Sequence, residues 1–524
     1  MFLFQKNLRS FLCIGSFLLY ITDGFIISFP ATLSSLNPTQ VLSPVIESHR
    51  SKSSISSSSG KIQEMASLTS LASTRSGSKE RAATIQGRYA LAAKVSHSFI
   101  TREFQPAWFA TNRHFQTIIG TLFRKESMYS RSISVLLDLA GVTNSNKGSE
   151  SLLLDHFTWD KRERVKTPDG DFFDVDWSLV NSKDDNNPVC LICHGLERYV
   201  CLYYLIPFFK HIFLFPFIVI VVLIINLLAF IYLYLLIFFL LSCSDSEIAQ
   251  ELAIACNNAN IDAACINFRG CSDKGAECNL TARGYHMGFT DDLLQQITKI
   301  HSSNPNKRIY LSGFSLGAGV VTKLLADLGE DAYRYNICGA AVNAVPFDAS
   351  QSTSNLNGKG ITKSIYGDRL LKSMKERIKQ QFDNSCDFPF ERSKIDECET
   401  IMDIENLAIA PVFGFDDAWD YYDKCKTIDK LDKISVPQLI LQAKDDPFFK
   451  GMDCPANNLS SPLRIQYSER GGHCGFVCQK INEDNSQISW MPTQLGRFFA
   501  HVEENYQSTT INTEDATASL IVAK

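Results

Sequence analysis

Short apolar runs recur along the second half of this chain, and helix-length segments separate them. They are PVCLICHG, IDAACINFRG, RIYLSGFS, ICGAAVNAV, PQLILQAKDD and LRIQYSE. Their length suits strands, and their almost continuous apolar character suits strands covered on both faces. Alternation with helical segments predicts an α/β architecture, a mostly parallel central sheet with helices on both sides. Upstream, RERVKTPDGDFFDVDWSLV holds two alternating runs around a Pro-Asp-Gly turn, which predicts a β-hairpin. Between Pro346 and Leu431 the rhythm weakens, and SIYGDRLLKSMKERIKQQF reads as a helix. That block, residues 346–431, is expected to form a helical cap within a catalytic domain spanning 104–500. Residues 501–524 read as a loose polar tail.

Two further segments change the picture. Residues 1–30 read as a targeting signal: Lys6 and Arg9 precede the apolar FLCIGSFLLYI. Residues 31–100 are rich in Ser, Thr and Ala. From Ala31 to Lys94 the only acids are Glu47, Glu64 and Glu80, against eight Lys and Arg. This is a transit-peptide composition or that of a disordered linker behind a secretory signal. With Phe29-Pro30 at the junction, the pair resembles the two-part presequence of algae with complex plastids. A plastid address is expected, the secretory pathway being the alternative. The second segment is an apolar insert, residues 199–243, made almost wholly of Leu, Ile, Phe, Val and Tyr. By hydropathy it is a transmembrane segment and the chain a membrane protein. The net charge is −5 with no long basic run, which excludes nucleic acid as a partner. The 16 cysteines are scattered. Cys190-x-x-Cys193 lies inside an apolar run without a second pair, so it reads as core and not as a metal or redox site.

The chemistry centres on GFSLG, Gly313 to Gly317. A strand-like RIYLS precedes it and a helix-like AGVVTKLLADLG follows, the setting of a nucleophile elbow. Ser315 is the expected nucleophile. The backbone N–H of Leu316, at the helix start, would face a developing oxyanion. A hydroxyl needs a base, and GGHCGF supplies His473 on the loop after the last strand. The acid should end the strand before it, where QLILQAKDDPFF offers Asp445 and Asp446. Asp446, directly before Pro447, is preferred. The second oxyanion donor is expected after an earlier strand, at the N–H of Leu196 in HGLE. His194 is expected to brace that loop, and Arg269 and Asp292 to fix loops around the elbow.

The ordered set FQPAWFATNRHFQT, DGDFFDVDW, HGLE, NFRGCSD, YHMGFTDDL, GFSLG, AKDDPF and GGHCGF resembles the AB hydrolase 4 family of the α/β-hydrolase superfamily. That family includes YheT-like hydrolases, plant embryogenesis-associated homologues, membrane-bound phospholipase relatives and yeast medium-chain acyltransferases. The resemblance spans about Phe104 to Phe499, apart from the insert. It implies the α/β-hydrolase fold, a Ser315–Asp446–His473 triad, and hydrolysis of carboxylic esters of acyl lipids or short chains, with no metal or cofactor. The chain departs from the family pattern in three places. His114 follows Asn-Arg in place of Asn-Pro, GFSLGAG replaces GFSLGGN, and the insert follows HGLE directly. Acyl transfer to an alcohol uses the same triad and is the alternative. A catalytically impaired membrane protein is the second alternative, and rests on the insert. In the cap, Ile365, Tyr366, Leu370 and Leu371 are candidates for an acyl channel.

The insert also reads as a retained intron. Without it, HGLE runs into DSEIAQELA as in the family. Its apolar residues have T-rich or AT-rich codons, as a pyrimidine tract read in frame would give. Arg198-Tyr199-Val200 can encode a donor beginning GTATGT, and Cys243-Ser244 an acceptor ending CAG. The joined codon is Ser, in frame. Transcripts sequenced across codons 190–250 are expected to include a mature messenger lacking the stretch. A sole mature messenger that retains it, with its peptides seen by mass spectrometry, would overturn the intron reading.

Overall fold

The computed structural model describes residues 75–122 (Phe109 excepted), 157–180, 186–196, 243–271, 279–384, 387–452, 454–478 and 489–522. The chain divides into two compact units. One holds Gly87–Lys524 together with Met1–Arg9, and the other is Ser10–Gln86. Of the second, only residues 75–86 are described, as part of a helix. The targeting segment 1–30 lies outside the described residues, as does the apolar insert up to residue 242. Among the described residues no helix is long and apolar enough to cross a membrane.

The larger unit is an α/β-hydrolase fold. Its eight strands are β1 (Lys161–Lys166), β2 (Phe172–Ser178), β3 (Val189–Cys193), β4 (Asp262–Asn267), β5 (Ile309–Phe314), β6 (Ile337–Asn343), β7 (Gln438–Ala443) and β8 (Leu463–Ser468). They lie in the order β1-β2-β4-β3-β5-β6-β7-β8. β2 runs antiparallel to both β1 and β4, and every other pairing is parallel. The six apolar runs of the sequence supply β3 to β8. β3, β4, β5 and β7 are buried along their whole length. Helices cover both faces, so a polar face has nowhere to go. Cys190 and Cys193 are buried in β3, and burial pushes both thiols above their ordinary range. They are core residues.

β3 has β4 on one side and β5 on the other. The connections leaving β3 and β5 therefore diverge, opening a crevice beyond the carboxyl ends of these strands. The HGLE loop leaves β3 there, and GFSLG leaves β5.

The domain begins before the expected Phe104. Helix α1 (Arg75–Ser98) reaches into the region expected to be transit peptide or disordered. Ala92, Val95, Ser96 and Phe99 are buried at i, i+3, i+4 and i+7, one face of a helix. Small and polar members of that stripe hid it in the Ser- and Ala-rich composition. Ser96 Oγ donates to Pro462 O at 2.5 Å, fixing the helix end beside β8. The second N-terminal helix, α2 (Arg113–Leu122), follows. On the sheet lie α3 (Glu247–Asn258), α4 (Asp291–Ser303) and α5 (Leu316–Leu328). Between β6 and β7 the chain is helical: α6 (Ala349–Asn357), α7 (Asp368–Asp383) and α8 (Ala418–Cys425) with short turns between. These pack around a small core of their own that includes Tyr366, Leu371, Met374 and Ile404.

The C-terminal segment also differs from the expected loose tail. α9 (Trp490–Val522) continues past Ala500. Met491, Leu495, Phe498, Phe499 and Val502 form its buried stripe. Glu503 is buried too, accepting from Tyr310 Oη at 2.6 Å and Arg308 Nε at 2.8 Å. A polar residue there is anchored by partners that composition does not reveal.

The hairpin β1–β2 carries buried carboxylates, Asp174 and Asp176, at the alternate positions that a half-exposed strand would turn to solvent. Asp176 accepts both prongs of Arg162 at 2.7 Å, Asn267 Nδ2 at 2.8 Å and Ser244 Oγ at 2.5 Å. Ser244 is thereby locked one residue after the insert. Asp176→Leu removes the acceptor for all of these donors and is expected to lower the unfolding free energy by about 2–3 kcal/mol, measurable by urea unfolding.

Candidate active site

Ser315 stands between β5 and α5 with φ 54° and ψ −125°, a left-handed conformation disfavoured for a residue with a side chain. The turn tightens because Gly313 and Gly317, two positions to either side, have no side chain. A Cβ on Gly317 would lie 2.2 Å from Cys193 O and 2.4 Å from His194 O. The elbow thus packs backbone to backbone against the loop leaving β3. Ser315 N donates to Asn343 O at 3.0 Å, which ties the strained residue to the end of β6.

Three side chains from three loops meet at this point. Ser315 Oγ donates to His473 Nε2 at 2.8 Å, and His473 Nδ1 donates to Asp446 Oδ2 at 2.8 Å. Asp446 is buried, and its other oxygen accepts from Phe448 N at 2.8 Å. Asp445 turns elsewhere: its Oδ1 accepts from Gly472 N at 2.9 Å, holding the histidine loop. Leu196 and Leu316 line the same pocket as Ser315 and His473.

His194 braces its loop. Its Nδ1 donates to Gly195 O at 2.7 Å and its Nε2 accepts from Phe268 N at 3.2 Å. Burial, with Arg377 nearby, pushes its pKa down to about 4. The ring stays neutral at neutral pH, which both hydrogen bonds require. Arg269 binds Asp292 through Nε at 2.9 Å and Nη2 at 2.8 Å, and Asp169 through Nη1 at 2.5 Å. This buried group joins the hairpin turn to the start of α4, away from the reacting atoms.

Sequence reasoning missed the residues that seat His473. Thr117 of α2 accepts the His473 N–H at 2.8 Å through Oγ1 and donates to Arg113 O at 2.8 Å. Gly475 packs so tightly on α2 that a Cβ would lie 1.9 Å from Gln116 O. Phe448 stacks on the imidazole at 3.9 Å with an 8° interplanar angle, and Phe449 meets it edge-on at 5.4 Å. Tyr366 of the cap packs on Phe448 at 5.0 Å, and its hydroxyl is 3.2 Å from His114 Nδ1. Adjacency to the acid in AKDDPFF was the available signal for the two phenylalanines. Thr117 and His114 lay in FQPAWFATNRHFQT, a motif with no readable role.

Above the serine lies a pocket of about 190 Å³. Ile365, Tyr366 and Leu370 line it as expected of an acyl channel, whereas Leu371 is buried in the core of the cap. Side chains one position apart on a helix point in different directions, and Leu371 falls on the packed face.

No family model matches the chain. Curated relatives do. "Putative esterase YheT" of Escherichia coli (strain K12) is 24% identical over 380 residues, 72% of this chain and 87% of that protein. "Monoacylglycerol lipase" of Saccharomyces cerevisiae (strain ATCC 204508 / S288c) is 27% identical over 245 residues, 46% of this chain and 52% of that protein. The alignment to YheT covers most of both chains. These relatives support the resemblance to the AB hydrolase 4 family of the α/β-hydrolase superfamily. "Phospholipase ABHD3" of Mus musculus is 23% identical over 217 residues, 41% of this chain and 51% of that protein. The chain thus spans about half the length of the last two. Esterases and lipases recur among these relatives.

Thr117→Val keeps the shape of α2 but leaves the buried His473 N–H without its acceptor. Ester turnover, read as kcat/KM, is expected to fall about ten-fold or more, with the circular dichroism spectrum unchanged.

Proposed function

We propose that this hydrolase works through an acyl-enzyme on Ser315 and cleaves esters of short acyl chains or acyl lipids. The observation that carries this reading is the unbroken line of two 2.8 Å hydrogen bonds from Ser315 through His473 to the buried Asp446. Ser315 Oγ attacks the ester carbonyl while His473 Nε2 takes its proton. Asp446 holds the ring in the required tautomer and stabilises the imidazolium. The N–H groups of Leu196 and Leu316 accept the charge that develops on the carbonyl oxygen. His473 returns the proton to the leaving alcohol. It then activates the water that releases the acyl group.

Pocket size and character support the substrate class. At about 190 Å³ the cavity is smaller than the roughly 300–1,000 Å³ usual for ligand sites, which favours short acyl chains. Met287, Leu356, Ile365, Leu370 and Ile401 give it an apolar wall. No metal or cofactor enters this chemistry.

Ser315→Ala in the full-length protein is expected to abolish labelling by a fluorophosphonate probe and to reduce ester turnover by several orders of magnitude. Asp446→Asn is expected to be damaging, and Asp445→Asn mild. Labelling that survives in Ser315→Ala would reject the mechanism, and the reverse order of the two aspartate variants would reject the choice of acid.

A further inference from the structure

The largely apolar pocket above Ser315 has a buried carboxyl in its wall. Glu405, in the cap turn after Ile404, lines the same cavity as Ser315 and His473. Its residue is only 8% exposed. Tyr422 Oη of α8 donates to Oε2. The other oxygen, Oε1, has no hydrogen-bond partner among the described residues. With one oxygen held by Tyr422 and the other open to the cavity, the carboxyl can receive a donor from a bound ligand.

The charged and titratable groups around it are few. Tyr421 and Tyr422 face it from α8, and burial raises both phenols, so both stay protonated. Arg369, at the start of α7, lines the pocket as well. His286, which packs on Tyr421, is kept neutral by burial, its pKa pushed down to about 3. On the adjoining turns Asp403 is exposed, with its carboxyl engaged by Glu399 N and Thr400 N.

We propose that Glu405 is a specificity-determining residue of this pocket, and that it selects esters carrying a free hydroxyl, whose O–H donates to Oε1. The inference rests on the acyl-enzyme reading of the site above. A wholly alkyl ester offers Oε1 no donor. The hydroxyl can sit on the alcohol part, as in a glyceryl ester, or on the acyl part, as in a hydroxyacyl ester. Burial pushes the Glu405 pKa up to about 7, against the pull of the Tyr422 hydrogen bond. Above that pH the group is a carboxylate and accepts most strongly. Selectivity for the hydroxyl therefore rises as pH increases through about 7.

The test uses the full-length enzyme and measures ratios of kcat/KM at each pH, so that effects common to both esters cancel. Glyceryl monobutyrate against propyl butyrate reads the alcohol side, and ethyl hydroxybutyrate against ethyl butyrate reads the acyl side. The wild type is expected to favour the hydroxyl-bearing ester by about ten-fold or more in one of the two pairs, increasingly between pH 6 and 8. Glu405→Leu is expected to bring that ratio close to one. The isosteric Glu405→Gln is expected to keep part of it and to lose its pH dependence. Equal ratios in wild type and both variants, or a wild-type ratio near one in both pairs, would overturn the proposal. Failure of the underlying mechanism is separately visible as turnover that survives Ser315→Ala.

Discussion

The left-handed backbone at Ser315 is the constraint around which the rest of the domain is arranged. Such a conformation costs on the order of 1–3 kcal/mol and persists only where its surroundings leave no alternative. Here the surroundings are backbone. Gly317 lies against the carbonyls of Cys193 and His194 with no room for a Cβ, and Ser315 N is bonded to Asn343 O. Three neighbouring parallel strands, β3, β5 and β6, must hold their register for these contacts to exist. The same close approach brings the HGLE loop beside Ser315.

The histidine side of the site depends on a different set of contacts. His473 sits on a loop with Cys474 and Phe476 at positive φ, which sequence-local forces would not choose. Gly472 N is held by Asp445, His473 N by Thr117, and Val477 N by Gln116 Oε1 at 2.6 Å. Two of these three anchors come from α2, more than three hundred residues earlier in the chain. Phe448 then fixes the ring plane by stacking. The N-terminal segment is therefore part of the site's machinery, although it contributes no atom to the proton relay.

The cap supplies one wall of the pocket. Its apolar side chains line it, and Tyr366 ties it to the histidine loop through Phe448 and His114. Glu405 and Arg369 are polar groups within that lining. Polar atoms in a dry pocket discriminate more strongly than additional methylenes do, because leaving them unpaired costs more than a small change in apolar contact.

The sequence alone pointed to the sheet strands and the elbow, and placed Ser315, an aspartate at 445 or 446, and His473 in that order. Each is written locally: buried strands as apolar runs, the elbow as GFSLG between a strand and a helix, the acid and base as polar residues at strand ends. Tertiary structure decided what depends on distant partners. Only packing shows that Ala92, Val95, Ser96 and Phe99 form a buried stripe, since small residues give a weak hydrophobic signal. Only the loop geometry separates the adjacent Asp445 and Asp446, one turned to Gly472 and the other to His473. Leu371 and Leu370 look alike in the sequence, yet one faces the core of the cap and the other the pocket. Glu405 had no signature at all, because what makes it unusual is its burial in the pocket wall, and burial is a property of the folded chain.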